Sequence, residues 1–231
     1  MAGDAAARHI VVAAVLFDMD GVLFDSTAVV EALWVGFARR HALEVEQVID
    51  DLHGRRMADV MRAHLPTMTL SNIDEEIVRF EQAEVAGASD VEELPGAVAL
   101  TTLLADAPWA IVTSSNRVVA EARLAGSGLP APPVLVTADD VDRGKPAPDP
   151  YVLAARMLGV SPTDSVVFED APVGIVAARA AGCTVVALAT SHPVTALGGA
   201  DHIVGDLTAV TLDVGHERRP LSLYVSCRVL G

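Results

Sequence analysis

The chain has 231 residues, 52% of them hydrophobic and 20% charged, with a formal net charge of −15. That is enough chain for a sizeable core, too apolar for disorder, and too acidic to attract nucleic acid or anionic membrane surfaces through its overall field. Any anionic ligand must therefore be drawn in by a local positive site. Cys183 and Cys227 have no metal-ligand or redox spacing and no apolar stretch is long enough to span a bilayer, so a cytoplasmic protein is expected. A monomer or weak homodimer is the expected assembly.

The N-terminal "HIVVAAVLFD" (9–18) reads as a buried strand rather than a secretory signal, because it is short, lacks a basic leader and ends in acids. From 27 to 92 no convincing strand occurs. Helical patterns at 27–41, 44–52, 56–64 and 72–87 fill the segment instead, with Ser71 and Asp74 as candidate start-of-helix residues. Trp34 is read as core of this helical unit. "EELPGA" (92–97) reads as the return hinge.

Strand and helix then alternate. Apolar runs at 109–113, 165–170 and 183–189, with weaker ones at 133–138 and 201–205, are separated by helical patterns at 97–105, 116–126, 149–159 and 172–182. The last helix has Pro172 near its start and Gly182 just past its end. The pattern predicts an α/β fold: a doubly wound, Rossmann-like parallel sheet with an inserted all-helical cap domain. The expected boundaries are 1–24 and 93–214 for the core and 25–92 for the cap. The tail 215–231 is left open: "LSLYVSCRVL" alternates weakly and fits either an edge strand or a disordered end.

In open α/β sheets ligands bind beyond the carboxyl ends of the strands. Four constellations lie there. The first strand runs into "FDMDGVLFDS", where Asp18 and Asp20 sit two residues apart and point the same way in extended backbone. Like charges this close need a cation or a retained proton, although an acidic turn capping the next helix is the alternative. The second ends "IVTSSN", offering the Thr113 and Ser114 hydroxyls and helix-start N–H groups to an anion, or an ordinary N-cap. "DRGKPAPDP" carries Lys145, the single lysine of the chain. Elsewhere arginine supplies the fixed positive charge, which argues that a compact ammonium is specifically required here. The fourth is "FEDAPVG", with Glu169 and Asp170 adjacent. Together these residues supply enough oxygen ligands for a hard divalent cation, plus an ammonium and hydroxyls suited to a phosphoryl group.

"DMDGVLFDS", "IVTSS", "GKPAPDP" and "FEDAPVG", in this order, resemble the four motifs of the haloacid dehalogenase superfamily, over residues from about 10 to 210. "EALWVGFARRH", "DLHGRR", "ELPGAVAL" and "EDAPVGIVAARAAGC" look most like its helical-cap sugar phosphatases and the related 2-deoxyglucose-6-phosphate and glycerol-phosphate phosphatases. The resemblance implies Asp18 as nucleophile and Asp20 as general acid/base. It implies Thr113, Ser114 and Lys145 as phosphate ligands. Mg²⁺ would be held by Asp18, the Asp20 carbonyl and Asp170, with Glu169 beside it or acting through water. A small phosphorylated metabolite is the expected partner, and "HGRR" (His53, Gly54, Arg55, Arg56) is the candidate specificity loop. The alternative is a phosphosugar mutase of the β-phosphoglucomutase type. Against it, the stretch after the first motif has no histidine and the cap no lysine.

Overall fold

The computed structural model describes residues 8–52, 54–214 and 221–226. In chain order the strands are β1 (Arg8–Val12), β2 (Ala14–Phe17), β3 (Phe24–Asp25), β4 (Glu92–Glu93), β5 (Trp109–Val112), β6 (Val134–Val136), β7 (Ser165–Glu169), β8 (Thr184–Leu188), β9 (His202–Val204), β10 (Val210–Asp213) and β11 (Leu221–Val225). The helices are α1 (Thr27–Arg40), α2 (Val45–Leu52), α3 (Met57–His64), α4 (Leu70–Ala86), α5 (Ala97–Leu103), α6 (Arg117–Ala125), α7 (Asp149–Leu158) and α8 (Pro172–Ala181). None of the described helices is long and apolar enough to cross a membrane.

Six strands form a wholly parallel sheet in the order β6-β5-β2-β7-β8-β9. The winding direction changes around β2: β5 and β6 extend one way and β7, β8 and β9 the other. That is the switch point at which an α/β sheet opens a crevice beyond its strand ends. The continuous apolar sequence has a direct cause, since every residue of β2, β5 and β7 is buried. One core cluster includes Phe17, Trp109 and Phe168; a second, with Tyr151, Ile175 and Leu197, packs elsewhere in the α/β unit. Each fully buried large apolar side chain contributes about 1.5–3 kcal/mol relative to exposure.

The helices between β3 and β4 pack around their own cluster of Trp34, Phe37, Val48, Leu52, Val60, Met61, Ile73 and Phe80. Trp34 anchors it, with ring centroids 5.2 Å from Phe37 and 4.7 Å from Phe80. The chain leaves and re-enters the α/β unit through the antiparallel pair β3–β4, followed by Gly96 at φ 88°. A side chain at Gly96 would place Cβ 2.7 Å from the Leu207 carbonyl carbon, so this hinge accepts glycine alone.

Three details depart from the sequence expectation. The single strand expected at 9–18 is two: β1 is half-exposed and pairs antiparallel with β11, whereas β2 is buried between β5 and β7. They break at Ala13, whose N–H donates to the Asp164 carbonyl at 2.6 Å. The tail stretch 221–225 is strand β11, and it lies in the middle of the sheet β1-β11-β10 rather than at an edge. Its alternation places Leu221, Leu223 and Val225 in the core cluster shared with the parallel sheet. Helix α4 starts earlier than expected: Thr69 is its N-cap, accepting from the Asn72 N–H at 3.3 Å, and Ser71 lies inside the helix.

Candidate active site

Three strand ends converge. Asp18 follows β2 directly, Thr113 follows β5, and β7 ends in Glu169 with Asp170 next. All four side chains are buried. The loop between β6 and α7 brings Lys145 beneath them. Its Nζ lies 2.8 Å from Asp18 Oδ1 and donates to Glu169 Oε1 at 2.7 Å. The loop sequence explains how a buried lysine gets there: Gly144 lets the chain pass close to the Arg56 side chain, and Pro146 and Pro148 fix the backbone on either side of Ala147.

Glu169 is filled by protein donors. Oε1 accepts from Lys145 and from the Tyr151 hydroxyl at 2.6 Å; Oε2 accepts from the backbone N–H groups of Asp170 at 3.0 Å and Ala171 at 3.2 Å. The last two lie at the start of α8, where unpaired N–H groups favour an anion. Close approach makes this possible. A Cβ on Gly174 would lie 1.7 Å from Glu169 Oε1, and one on Gly21 would lie 2.0 Å from Asp170 Oδ2. Gly21 also sits at φ 71°. The Ser191 hydroxyl donates to Asp170 Oδ2, and the Thr190 hydroxyl holds the Gly21 carbonyl at 2.5 Å.

The electrostatics of this cluster demand either retained protons or a cation. One carboxylate oxygen from each of Asp18, Glu169 and Asp170 lies within 4.8 Å of the others. Burial raises Asp18 to about 7; Lys145 opposes the rise and Glu169 adds to it. Burial likewise pushes Asp170 well above the usual carboxylate range, helped by the charges of Glu169 and Asp18. Burial works against the Lys145 ammonium, but the attraction of Asp18 and Glu169 outweighs it and the pKa rises, so the group stays charged. One lysine cannot compensate three buried carboxylates. The all-oxygen donor set fits a hard divalent cation, with Asp18 and Asp170 as the under-satisfied carboxylates. Glu169 already accepts four hydrogen bonds and anchors Lys145.

A cavity opens above these groups. It is lined by Asp18, Asp20, Thr113, Ser114 and Asp170 from the α/β unit, and by Trp34, Leu52, Arg55, Met57, Phe80 and Glu84 from the helical insertion. Lys145 is not among its lining residues; it reaches Asp18 from the buried side. Thr113 Oγ1 accepts from the Ser115 N–H at 3.0 Å. Ser114 Oγ donates to the Gly54 carbonyl of the insertion at 2.8 Å, so this hydroxyl also joins the two halves of the cavity.

The 53–56 turn divides by position. His53 lies outside the described residues. Gly54, at φ 74°, brings the turn against α8: a Cβ there would meet Val173 Cγ2 at 2.6 Å. Arg55 lines the cavity and pairs with Asp51. Arg56 turns away. It donates to Asp59 and to the carbonyls of Val141 at 3.2 Å and Asp142 at 3.0 Å, fastening the insertion to the Lys145 loop.

Several groups at this site do not stand out in the sequence. Tyr151 orients Glu169, with Lys145 Nζ 5.2 Å from the centre of its ring. Ser26, Ser115 and Arg123 all reach Asp20: Ser26 and Arg123 donate to Oδ1, Ser115 to Oδ2. Arg123 also donates to Glu84 Oε1 at 2.9 Å. Burial raises Glu84 to about 7, outweighing that ion pair. Ser26 and Ser115 stand in or beside the motif stretches, and that position is a local signal for them. Arg123 and Glu84 sit in ordinary helical patterns, and tertiary packing alone reveals them.

The family model for haloacid dehalogenase-like hydrolases matches residues 12–182. The chain is 42% identical to hexitol phosphatase A of Escherichia coli K12, covering 85% of this chain and 92% of that protein. It is 37% identical to validoxylamine A 7′-phosphate phosphatase of Streptomyces hygroscopicus subsp. limoneus, covering 84% and 94%. With glycerol-1-phosphate phosphohydrolase 2 of Saccharomyces cerevisiae the identity is 36%, over 77% of this chain and 75% of the relative. Among solved structures, a hydrolase from Pseudomonas syringae superposes with a TM-score of 0.77 at 26% identity, covering 84% of this chain and 94% of that one. With its ordered motifs converging on one cavity, this chain belongs to the haloacid dehalogenase-like hydrolases.

Proposed function

We propose that this chain is a Mg²⁺-dependent phosphatase of small sugar or polyol phosphates that works through an aspartyl-phosphate on Asp18. One observation carries the reading: the buried Asp18 carboxylate, with Lys145 Nζ at 2.8 Å, faces the same cavity as Asp20 and Asp170. The named relatives, phosphatases of hexitol, validoxylamine and glycerol phosphates, support the substrate class.

In the first step a carboxylate oxygen of Asp18 forms a bond to phosphorus while the bond from phosphorus to the leaving oxygen breaks. Asp20 gives its proton to that oxygen, so a neutral alcohol departs. In the second step Asp20, now a carboxylate, takes a proton from water as the water oxygen bonds to phosphorus. The bond from phosphorus to Asp18 breaks and inorganic phosphate is freed. Thr113 and Ser114 are the phosphoryl-binding groups on the cavity side, Ser114 turning its hydroxyl from the Gly54 carbonyl to serve; Lys145 anchors Asp18 from the buried side and adds its positive charge to the phosphoryl site from beneath the nucleophile. Asp18, the Asp20 carbonyl and Asp170 would hold Mg²⁺, with Glu169 acting through water. When bound, the ion supplies positive charge that offsets the clustered carboxylates and the phosphoryl oxygens.

Residues 25–92 form the cap in this reading and 1–24 with 93–214 the catalytic core. The cap covers the reacting groups, excludes water during the first step and, through Arg55, Trp34, Phe80 and Glu84, contacts the leaving group. The test is phosphate release from a panel of sugar and polyol phosphates with Mg²⁺, comparing the parent with Asp18→Asn. Turnover surviving that substitution defeats the aspartyl-phosphate route. Interconversion of β-glucose 1-phosphate and glucose 6-phosphate without phosphate release would make the chain a mutase instead.

A further inference from the structure

Arg123 belongs to α6 of the α/β unit, and its side chain is 1% exposed. Its two terminal nitrogens go to different halves of the molecule. Nη1 donates to Asp20 Oδ1, just past β2; Nη2 donates to Glu84 Oε1 at 2.9 Å, near the end of α4 in the helical insertion. A guanidinium is a rigid planar fork, so fixing one arm fixes the direction of the other. About one helical turn before Glu84, Glu81 accepts from Asn116 Nδ2, so α4 is tied at two points to the segment that follows β5.

The two oxygens of Asp20 are unequally used. Oδ1 accepts from Arg123 and from Ser26 Oγ at 2.5 Å; Oδ2 has the longer contact from Ser115 Oγ at 3.3 Å. With Arg123 and Ser26 both on Oδ1, Oδ2 is the less engaged oxygen and the one free to face a leaving oxygen. When the Oδ2 proton passes to the leaving oxygen, the electron pair of that O–H bond remains on Asp20. The resulting carboxylate is already paired with Arg123.

We propose that Arg123 is a positioning residue for Asp20, and that Glu84 makes this positioning depend on α4 being seated over the site. Proton transfer is thereby geared to the placement of the helical insertion: moving α4 away withdraws Glu84, releases the fork and lets Asp20 turn. The inference rests on the reading of Asp20 as general acid/base.

The test uses the full chain with Mg²⁺ and the variants Arg123→Met, Arg123→Lys, Glu84→Gln and Asp20→Asn, alone and with Asp20→Asn combined with Arg123→Met. Single-turnover rates are measured on a sugar phosphate, whose alkoxide needs a proton, and on p-nitrophenyl phosphate, whose leaving group does not. Positioning through Asp20 predicts that Arg123→Met costs about tenfold more on the sugar phosphate than on p-nitrophenyl phosphate. Glu84→Gln should shift the ratio the same way to a smaller extent. In the Asp20→Asn background, Arg123→Met should cost less than about twofold. Vanadate inhibition close to that of the parent reports an intact phosphate pocket; if Arg123→Met does not fold, Arg123→Lys carries the same comparison. Equal losses on both substrates, or an undiminished loss in the Asp20→Asn background, overturn the inference. Asp20→Asn with parental turnover of the sugar phosphate overturns the acid/base reading itself, and the positioning role with it.

Discussion

Lys145 Nζ and Asp18 Oδ1 are 2.8 Å apart, and both side chains are almost wholly withdrawn from solvent. An ion pair so placed is costly to disturb from one side, because the remaining charge stays buried without its partner. Replacing Lys145 by methionine removes the sole cation that faces Asp18, Glu169 and Asp170 among the described residues, and is expected to cost about 3–5 kcal/mol of stability in chemical denaturation. Arg123 and the other arginines show that the chain places guanidinium groups freely, yet a planar fork does not fit where Nζ bridges two carboxylates under a tyrosine ring. Lys145→Arg should therefore fold while losing roughly 10²–10³-fold in kcat. Near-parental turnover with an unchanged circular dichroism spectrum would mean that a compact ammonium is not required.

The importance of Lys145 is legible in the sequence itself, because it is the one lysine of the chain. What it bonds is not. The strands are legible because β2, β5 and β7 are buried on both faces and so read as apolar runs. The break at Ala13 is hidden for a related reason, since two consecutive apolar strands look like one. The Arg123–Glu84 pair joins positions 39 residues apart, and nothing local marks either residue. Tyr151 reads as one more core position of α7 until its hydroxyl is seen to reach Glu169.

Gly174 and Gly159 allow a controlled comparison. At Gly174 a Cβ would fall 1.7 Å from Glu169 Oε1 and displace the carboxylate that anchors Lys145. Gly174→Ala is expected to destabilise by about 1–3 kcal/mol and to lose turnover with it. Gly159, the left-handed C-cap of α7, has nothing within 4 Å of the corresponding Cβ. Gly159→Ala suffers from its backbone conformation alone, about 1–2 kcal/mol, and should keep parental kcat. Denaturant midpoints with steady-state kinetics separate the two; comparable kinetic damage in both would refute the Glu169 explanation.

Arg55 and Arg56, read together as a specificity pair, should separate under mutation. Arg55 lines the cavity, so Arg55→Ala is expected to change the ranking of kcat/KM across a sugar-phosphate panel. Arg56 directs its donors to Asp59 and to the carbonyls of Val141 and Asp142. Arg56→Ala should lower the melting temperature and leave the ranking as it was. A re-ordered ranking in Arg56→Ala would place that side chain back among the substrate contacts.

The carboxylate cluster ties cation binding to pH with a definite sign. In the cation-free protein burial raises Asp18 from the ordinary 3.8 to about 7, with Lys145 opposing, and raises Asp170 as well. A folded state that holds its protons longer than the unfolded chain is favoured below the unfolded pKa, and loses that advantage as pH rises through the folded one. Stability from Asp18 is thus fully present below about 3.8 and lost by the time pH has passed about 7. A divalent cation acts in the opposite sense, because it binds the ionised carboxylates and competes with their protons. The Mg²⁺-induced rise in melting temperature is therefore expected to be larger at about pH 8 than at about pH 5.5. Asp170→Asn should abolish the rise and reduce the pH dependence of the cation-free protein, since one of the cluster's titrating groups is gone while Asp18 and Glu84 remain. Equal Mg²⁺ shifts at both pH values, or a full shift in Asp170→Asn, would show that the ion binds away from Asp18 and Asp170.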